Sequence, residues 1–208
     1  MSLQREVIPF TTEQAWKAER VKDLTSSDVP CLFNQGYLSY EQLFQYKLHG
    51  KECHVEENER MQWGVALQDS IADEFAKRNH WRIRKKSEYI RIPSLHLGSS
   101  FDFEIEGESE ENGEAYTTRE LLEIKNVSYE SFKNNWKKGF EIEATPYIEI
   151  QVQHQLLVSE LKIAYIGVLI GGNEGKILKR EANPKIQNAI LCKAREFWGR
   201  IDQARSEL

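Results

Sequence analysis

Residues 121–127 read LLEIKNV, and residues 98–105 read GSSFDFEI. Both are short apolar runs interrupted at alternate positions by charged groups, the pattern of strands with one buried face. Strand side chains alternate, so Glu123 and Lys125 point one way while Leu122 and Ile124 point the other. By the same count Asp102 shares a face with Glu104, and Phe101, Phe103 and Ile105 share the opposite one. Paired antiparallel through the acidic stretch from Gly107 to Gly113, the two runs bring Asp102, Glu123 and Lys125 to one spot on a sheet. Two carboxylates and an ammonium held together are what metal-assisted phosphodiester cleavage requires. The same residues also make sense as a surface aspartate and a cross-strand Glu–Lys pair, which sheet faces commonly carry.

Outward from this pair, Thr12 to Arg20 reads as a short helix, and the polar cluster Thr25, Ser26, Ser27, Asp28 is placed to cap the next one. Ser39 to Leu48 is a second helix, ended by Gly50. Glu56 to Asn79 has Met61, Val65, Ile71 and Phe75 at helical spacing and forms a long helix. Trp81 to Ile92 alternates as a strand stopped by Pro93. Ser128 to Gly139 reads as a helix with a basic, aromatic face. Thr145-Pro146 opens a helix to about Leu161, with proline at its first position. Ile163 to Ile170 and Gly175 to Glu181 pair through the turn Gly171-Gly172-Asn173, and Asn183-Pro184 opens a final helix. The expected fold is α/β (α+β): a central mixed sheet flanked by helices, with extra helices at the N-terminus. No Pro/Gly/Ser-rich linker or repeat divides the chain, so residues 1–208 are expected to form one domain.

The 208 residues suffice for one sizeable core, and the composition, 40% hydrophobic and 29% charged, is that of an ordinary globular chain. No run approaches the roughly 18 apolar residues of a membrane helix, and no signal-peptide core stands at the start. Cys31, Cys53 and Cys192 are odd in number and widely spaced, which argues against a disulfide framework or a CxxC metal site and for a reducing cytoplasm. The net charge of −5 is unevenly spread. Acid gathers at Glu56, Glu57 and Glu59 and in the six glutamates from Glu104 to Glu114. Base gathers at Arg82, Arg84, Lys85 and Lys86, at Lys133, Lys137 and Lys138, and at Lys179, Arg180 and Lys185. These basic stretches are either solvated faces or local fields that attract phosphate.

Asp102 followed by Glu123-Ile124-Lys125 resembles the PD-(D/E)XK nuclease signature, with Phe101 where that pattern usually has proline. Three further segments point to one branch of that superfamily. AWKAERVKDLTSSD, residues 15 to 28, is similar to the N-terminal W…R…T-x-S pattern of lambda-type phage exonucleases, also called the YqaJ-like viral recombinase family. QWGVALQDSIADEF, residues 62 to 75, resembles their long helix beginning Trp-Gly, and YIEIQVQHQLLVS, residues 147 to 159, their glutamine motif. Order and spacing agree over roughly residues 15 to 170.

The resemblance implies an exonuclease that hydrolyses one strand of linear double-stranded DNA from its 5′ end, working in phage-type recombination with a single-strand annealing protein. It also implies a homo-oligomer, of the kind that assembles as a trimeric ring around DNA. Asp102, Glu123 and the Ile124 carbonyl would be ligands for two Mg²⁺ ions, with Mn²⁺ able to substitute. Lys125, kept protonated by its carboxylate neighbours, would position water and offset charge on the transition state. Gln151 would orient the water or the lysine; Gln155 lies one turn on, along the same stripe, and His154 reads as structural. Gln68 stands where relatives carry a glutamate, and is either a neutral metal ligand or a surface glutamine. Arg20, Thr25 and Ser27 match positions that bind a 5′-terminal phosphate, the alternative being an ion pair and an ordinary helix cap. Trp16 reads as a packing residue. Lys133, Trp136, Lys137 and Lys138 are candidates for contacts with the DNA backbone. Two other readings stay open: an endonuclease on the same fold, and a non-catalytic DNA-binding relative in which Gln68 marks a decayed site.

Overall fold

In the computed structural model, residues 3–51, 58–111, 114–138 and 141–208 are described, the side chains at 109–111, 114–116, 137 and 138 excepted. The chain opens with β1 (Glu6–Pro9), α1 (Glu13–Val21) and a 3-10 turn over Val29–Phe33. Helices α2 (Tyr40–Leu48) and α3 (Glu59–Asn79) lead to β2 (Arg82–Lys85), β3 (Glu88–Ile92), β4 (Leu97–Ser99), β5 (Phe103–Glu111) and β6 (Glu114–Val127). There follow α4 (Tyr129–Asn135), the short strands β7 (Lys137–Lys138) and β8 (Glu141–Ile142), and α5 (Pro146–Ser159). Strands β9 (Ile163–Ile170) and β10 (Glu174–Glu181) and helix α6 (Pro184–Ser206) complete it.

Helix starts follow the caps written in the sequence. Thr12, Ser39, Asn58, Ser128, Thr145 and Asn183 each accept a hydrogen bond from a first-turn N–H, and Ser39 closes a full capping box with Gln42. The main sheet has the order β10-β9-β6-β5-β2, with β6 and β9 parallel and the other pairs antiparallel. It is the expected mixed sheet between helices. A second, three-stranded sheet, β1-β3-β4, was not expected; β1 is only four residues long and ends in Pro9.

Alternation along β6 divides the molecule. Leu122 and Ile124 pack with Phe103, Ile105 and the α3 residues Ile71, Ala72 and Phe75 on one face. Leu121 and Val127 join β9, α5 and α6 in the larger core on the other. Gly167 of β9 lets α3 come close: a Cβ there would lie 2.9 Å from the Phe75 ring. Helix α5 runs through the interior, with Gln151, Gln153, His154 and Gln155 buried beside its apolar residues.

Several expectations need correction. Asp102 lies at a bend before β5, so alternation does not carry through it. Phe101 belongs to the larger core, opposite Phe103 and Ile105, and Glu104 is buried against Lys86 and Arg84. The stretch Trp81 to Ile92 is two strands in different sheets, broken at Lys86-Ser87. Of the long helix's apolar stripe, Ile71 and Phe75 are core, but Met61 and Val65 are exposed, because only the C-terminal half of α3 is packed into the core. Its start at Glu56, like Glu57 and Cys53, lies outside the described residues. Asp28 does not cap the 3-10 turn; its carboxylate turns back to Thr25 N–H. Helix α4 stops at Asn135, short of Gly139, which lies outside the described residues.

Candidate active site

Pairing between β5 and β6 starts at Phe103 with Leu122, so beyond Leu122 that edge of β6 has no strand beside it. Asp102 takes the free position, its Oδ2 accepting from Ile124 N–H at 2.9 Å. This seats its carboxylate beside the next residue in sequence, Glu123. Glu123 is buried and receives three donors. Lys125 Nζ at 2.6 Å and Gln151 Nε2 at 2.7 Å both reach Oε1, and Gln155 Nε2 reaches Oε2 at 2.8 Å. The four-residue spacing of Gln151 and Gln155 puts both amides on one stripe of α5. Asp102, Glu123 and Lys125 therefore do converge, on the α5 side of the sheet.

The electrostatics follow from crowding two acids with one ammonium. Burial pushes the Asp102 carboxyl up to about 7, and the Glu123 charge adds to this; Lys125, Ile124 N–H and the Gln68 amide oppose it. Burial alone would push the Lys125 ammonium down, but Glu123 and Asp102 outweigh it and hold Lys125 above its ordinary range. Lys125 is thus a fixed positive charge and a poor proton acceptor. Gln68 is half-buried on α3 and lies near enough to Asp102 to favour its charged form.

These residues fit a hard divalent cation. Two buried carboxylates face a single ammonium, and burial first, then the Glu123 charge, raises Asp102. A cation there would have Asp102, Glu123 and the Ile124 carbonyl as oxygen donors, with Gln68 at the margin. Among the described residues no group of three His, Cys, Asp or Glu converges. Mg²⁺, which keeps several waters, needs no such triad.

A second cluster lies two residues upstream of Asp102. Arg20 donates to Ser27 Oγ at 3.0 Å and to Ser100 Oγ at 3.5 Å. Thr25 Oγ1 and Ser27 Oγ are 3.0 Å apart. Trp16 lies under the guanidinium, 4.5 Å from it, and its Nε1 donates to Ser100, so it holds the arginine in place. Lys47, 2% exposed, supports the segment from α2 by donating to the Arg20 and Asp23 carbonyls and pairing with Asp28 at 3.0 Å. Burial alone would push Asp28 up, but Lys47 and Arg20 hold it below its ordinary range. Arg20 and Lys47 thus both act on the Asp28 carboxylate. Arg20, Thr25 and Ser27 are brought together as expected.

Other expectations fare differently. Trp136 is buried in the core and is not free to touch DNA. Lys133 is exposed on α4, and the Lys137 and Lys138 side chains lie outside the described residues. Gln151 was expected to serve the water or Lys125; its amide goes to Glu123, on the oxygen Lys125 also meets. Ser100, Asp28 and Lys47 were missed. Gln155 lies on the Gln151 stripe as the four-residue step implies, and its amide also goes to Glu123.

The five-stranded sheet with its Asp–Glu–Lys edge has the PD-(D/E)XK exonuclease fold. The structure matches an alkaline exonuclease from Laribacter hongkongensis, LHK-Exo, with a TM-score of 0.67 at 16% identity, covering 93% of this chain and 95% of that one. The LHK-Exo complex with dAMP gives 0.68 at the same identity and coverage. A phage-related exonuclease from Haemophilus somnus 129PT gives 0.57 at 11% identity, covering 89% of this chain and 96% of that one. At such identities the likeness establishes the fold alone. The chain belongs to the YqaJ-like viral recombinase domain family, whose model matches residues 15–162. It is also similar to the uncharacterised protein YqaJ of Bacillus subtilis (strain 168), 29% identical over 207 residues. That match takes in 95% of this chain, which spans only 60% of that relative's length.

Proposed function

We propose that this protein is a divalent-cation-dependent deoxyribonuclease that shortens one strand of linear duplex DNA from its 5′ end. The observation that carries the reading is the seating of Asp102 on Ile124 N–H beside the Glu123–Lys125 pair, an acidic site short of positive charge. Membership of a viral recombinase family and a fold shared with exonucleases support it.

Asp102, Glu123 and the Ile124 carbonyl would hold Mg²⁺ or Mn²⁺, with Gln68 adjusting Asp102. When bound, one or two such ions supply Lewis acidity toward the phosphoryl group and lower the pKa of water. Lys125, permanently charged, orients the water and offsets the negative charge that grows on the phosphoryl oxygens. Gln151 and Gln155 fix the Glu123 carboxylate. Arg20, Ser27 and Thr25, joined by Ser100, receive the terminal 5′-phosphate. Ser100 and Asp102 are two residues apart, so their Cα atoms are at most about 7 Å apart. Lys133 and Lys137 contact the backbone further along. Assembly as a ring with the basic stretches lining its hole would reconcile DNA binding with an acidic chain. A single-strand annealing protein is the expected partner, and the cytoplasm the expected setting.

The test is digestion of linear duplexes bearing 5′-phosphate or 5′-hydroxyl ends, and of sealed plasmid, with and without Mg²⁺. Ion-dependent loss of the phosphorylated linear DNA, abolished in Lys125→Ala with DNA binding retained, is expected. Equal cutting of sealed plasmid would replace this reading with an endonuclease. No ion-dependent loss of any of these DNAs with the wild type, binding being retained, would leave a non-catalytic DNA-binding protein.

A further inference from the structure

Between the two clusters stands an aromatic pair that neither cluster uses. Tyr37 is 75% exposed, and its ring lies 4.9 Å from that of Tyr147 at 62°, an edge-to-face contact. Tyr147 is in the first turn of α5, four residues before Gln151, on the stripe that holds Glu123. Burial pushes its phenol up, Lys125 opposes this, and Tyr37, Glu123 and Asp28 add to it. Tyr147 therefore feels both the acidic site and the Arg20 pocket.

An exposed tyrosine on a loose loop would mean little, since single apolar groups at a surface are ordinary. This loop is tightly fixed. Asn34 turns left-handed with φ 57° and bonds back to Cys31 O, while Gln35 N–H reaches Pro30 O at 2.9 Å. Gly36 is pressed onto Cys31 so closely that a Cβ there would meet its backbone N at 2.8 Å. Two residues after Tyr37, Ser39 is locked into the α2 capping box. The chain thus holds a solvent-facing aromatic in a set orientation, with a second ring supporting it.

We propose that Tyr37, supported by Tyr147, is a stacking platform for the nucleobase of the nucleotide being removed. The inference rests on the nuclease reading and goes beyond it, by naming what holds the base while the clusters hold its phosphates. An aromatic face suits an enzyme that must accept any sequence, because every base offers a π-surface and no hydrogen-bond code is read. Edge-to-face packing preserves a fixed orientation at small entropic cost, as tyrosine has only two side-chain torsions.

The test is binding of 5′-phosphorylated duplexes in EDTA, with 2-aminopurine at the first or the tenth nucleotide from the 5′ end. The wild type should quench the terminal probe and leave the tenth unchanged. Tyr37→Ala should abolish that quenching and weaken binding about tenfold, the scale of one aromatic–base stack, with no change in melting temperature. Tyr37→Phe and Tyr37→Trp should keep both properties. Wild-type quenching and affinity in Tyr37→Ala would overturn the platform while leaving the nuclease reading intact. Equal losses in Tyr37→Phe and Tyr37→Ala would assign the hydroxyl rather than the ring, and overturn it too. Failure of the wild type to bind duplex ends at all would remove the nuclease reading, and the platform with it.

Discussion

Replacing Gln155 with methionine isolates one of the three donors on Glu123. The side chain is 2% exposed and methionine has nearly its volume, so packing changes little. What is lost is the bond from Nε2 to Glu123 Oε2 at 2.8 Å, the hydrogen bond the fold gives that oxygen. A hydrogen bond to a buried charged group contributes about 1.5–3 kcal/mol. Gln155 Oε1, however, is buried without a hydrogen-bond partner, so its removal relieves a desolvation cost and returns part of that sum. The net loss should be about 1–2 kcal/mol, which for a chain of this size lowers the melting temperature by about 2–8 °C. Differential scanning fluorimetry in EDTA reads this directly, with no ion or DNA present. The parallel Mg²⁺ titration should show weaker stabilisation by the ion, because Glu123 is no longer held in place. A melting temperature equal to or above the wild type's would refute the claim that α5 holds Glu123 through this amide.

Gln68→Glu adds a third acid beside Asp102 and Glu123, and at an effective dielectric of 20 each such contact is repulsive by up to about 4 kcal/mol. The variant should melt below the wild type in EDTA and gain more from Mg²⁺, as fluorimetry would show; equal shifts in both would place residue 68 outside the site. His154 is fully buried with both ring nitrogens unpartnered, and burial pushes its pKa down to about 4. Between about pH 6.5 and 4 the unfolded chain takes up a proton that the folded chain refuses, so stability falls with pH by up to about 3 kcal/mol. His154→Leu should remove that share, narrowing the melting-temperature difference between pH 7 and pH 5; an unchanged difference would mean His154 finds a partner.

How much of this was legible in sequence depended on whether the signal was local. The start of α5 was, because the Thr145 cap and the proline behind it act on backbone within three residues. Strand β6 was, because period-two alternation sorts Leu122 and Ile124 from Glu123 and Lys125 with no knowledge of what lies beyond. The same rule failed at Phe101, where FDFEI alternates perfectly although the strand begins only at Phe103 and a bend turns the preceding ring to the other core. Helical spacing placed Met61 and Val65 correctly on α3, but which part of a helix is covered depends on where the packed core ends. Lys47 and Asp28 meet across nineteen residues as a buried ion pair, and nothing in either neighbourhood announces the other.

The two carboxylates are held in unlike ways, and that bears on what residue 68 does to each. Glu123 is fixed from three sides, by Lys125, Gln151 and Gln155, and can move little. Asp102 is held by one backbone N–H, and it is the acid that burial and the Glu123 charge push toward neutrality, with Gln68 opposing. A glutamate at position 68 would add a third negative charge to this pair. Glutamine instead adds no charge and favours the charged form of Asp102. Substitution at residue 68 should therefore act through Asp102, and leave the geometry around Glu123 as it is.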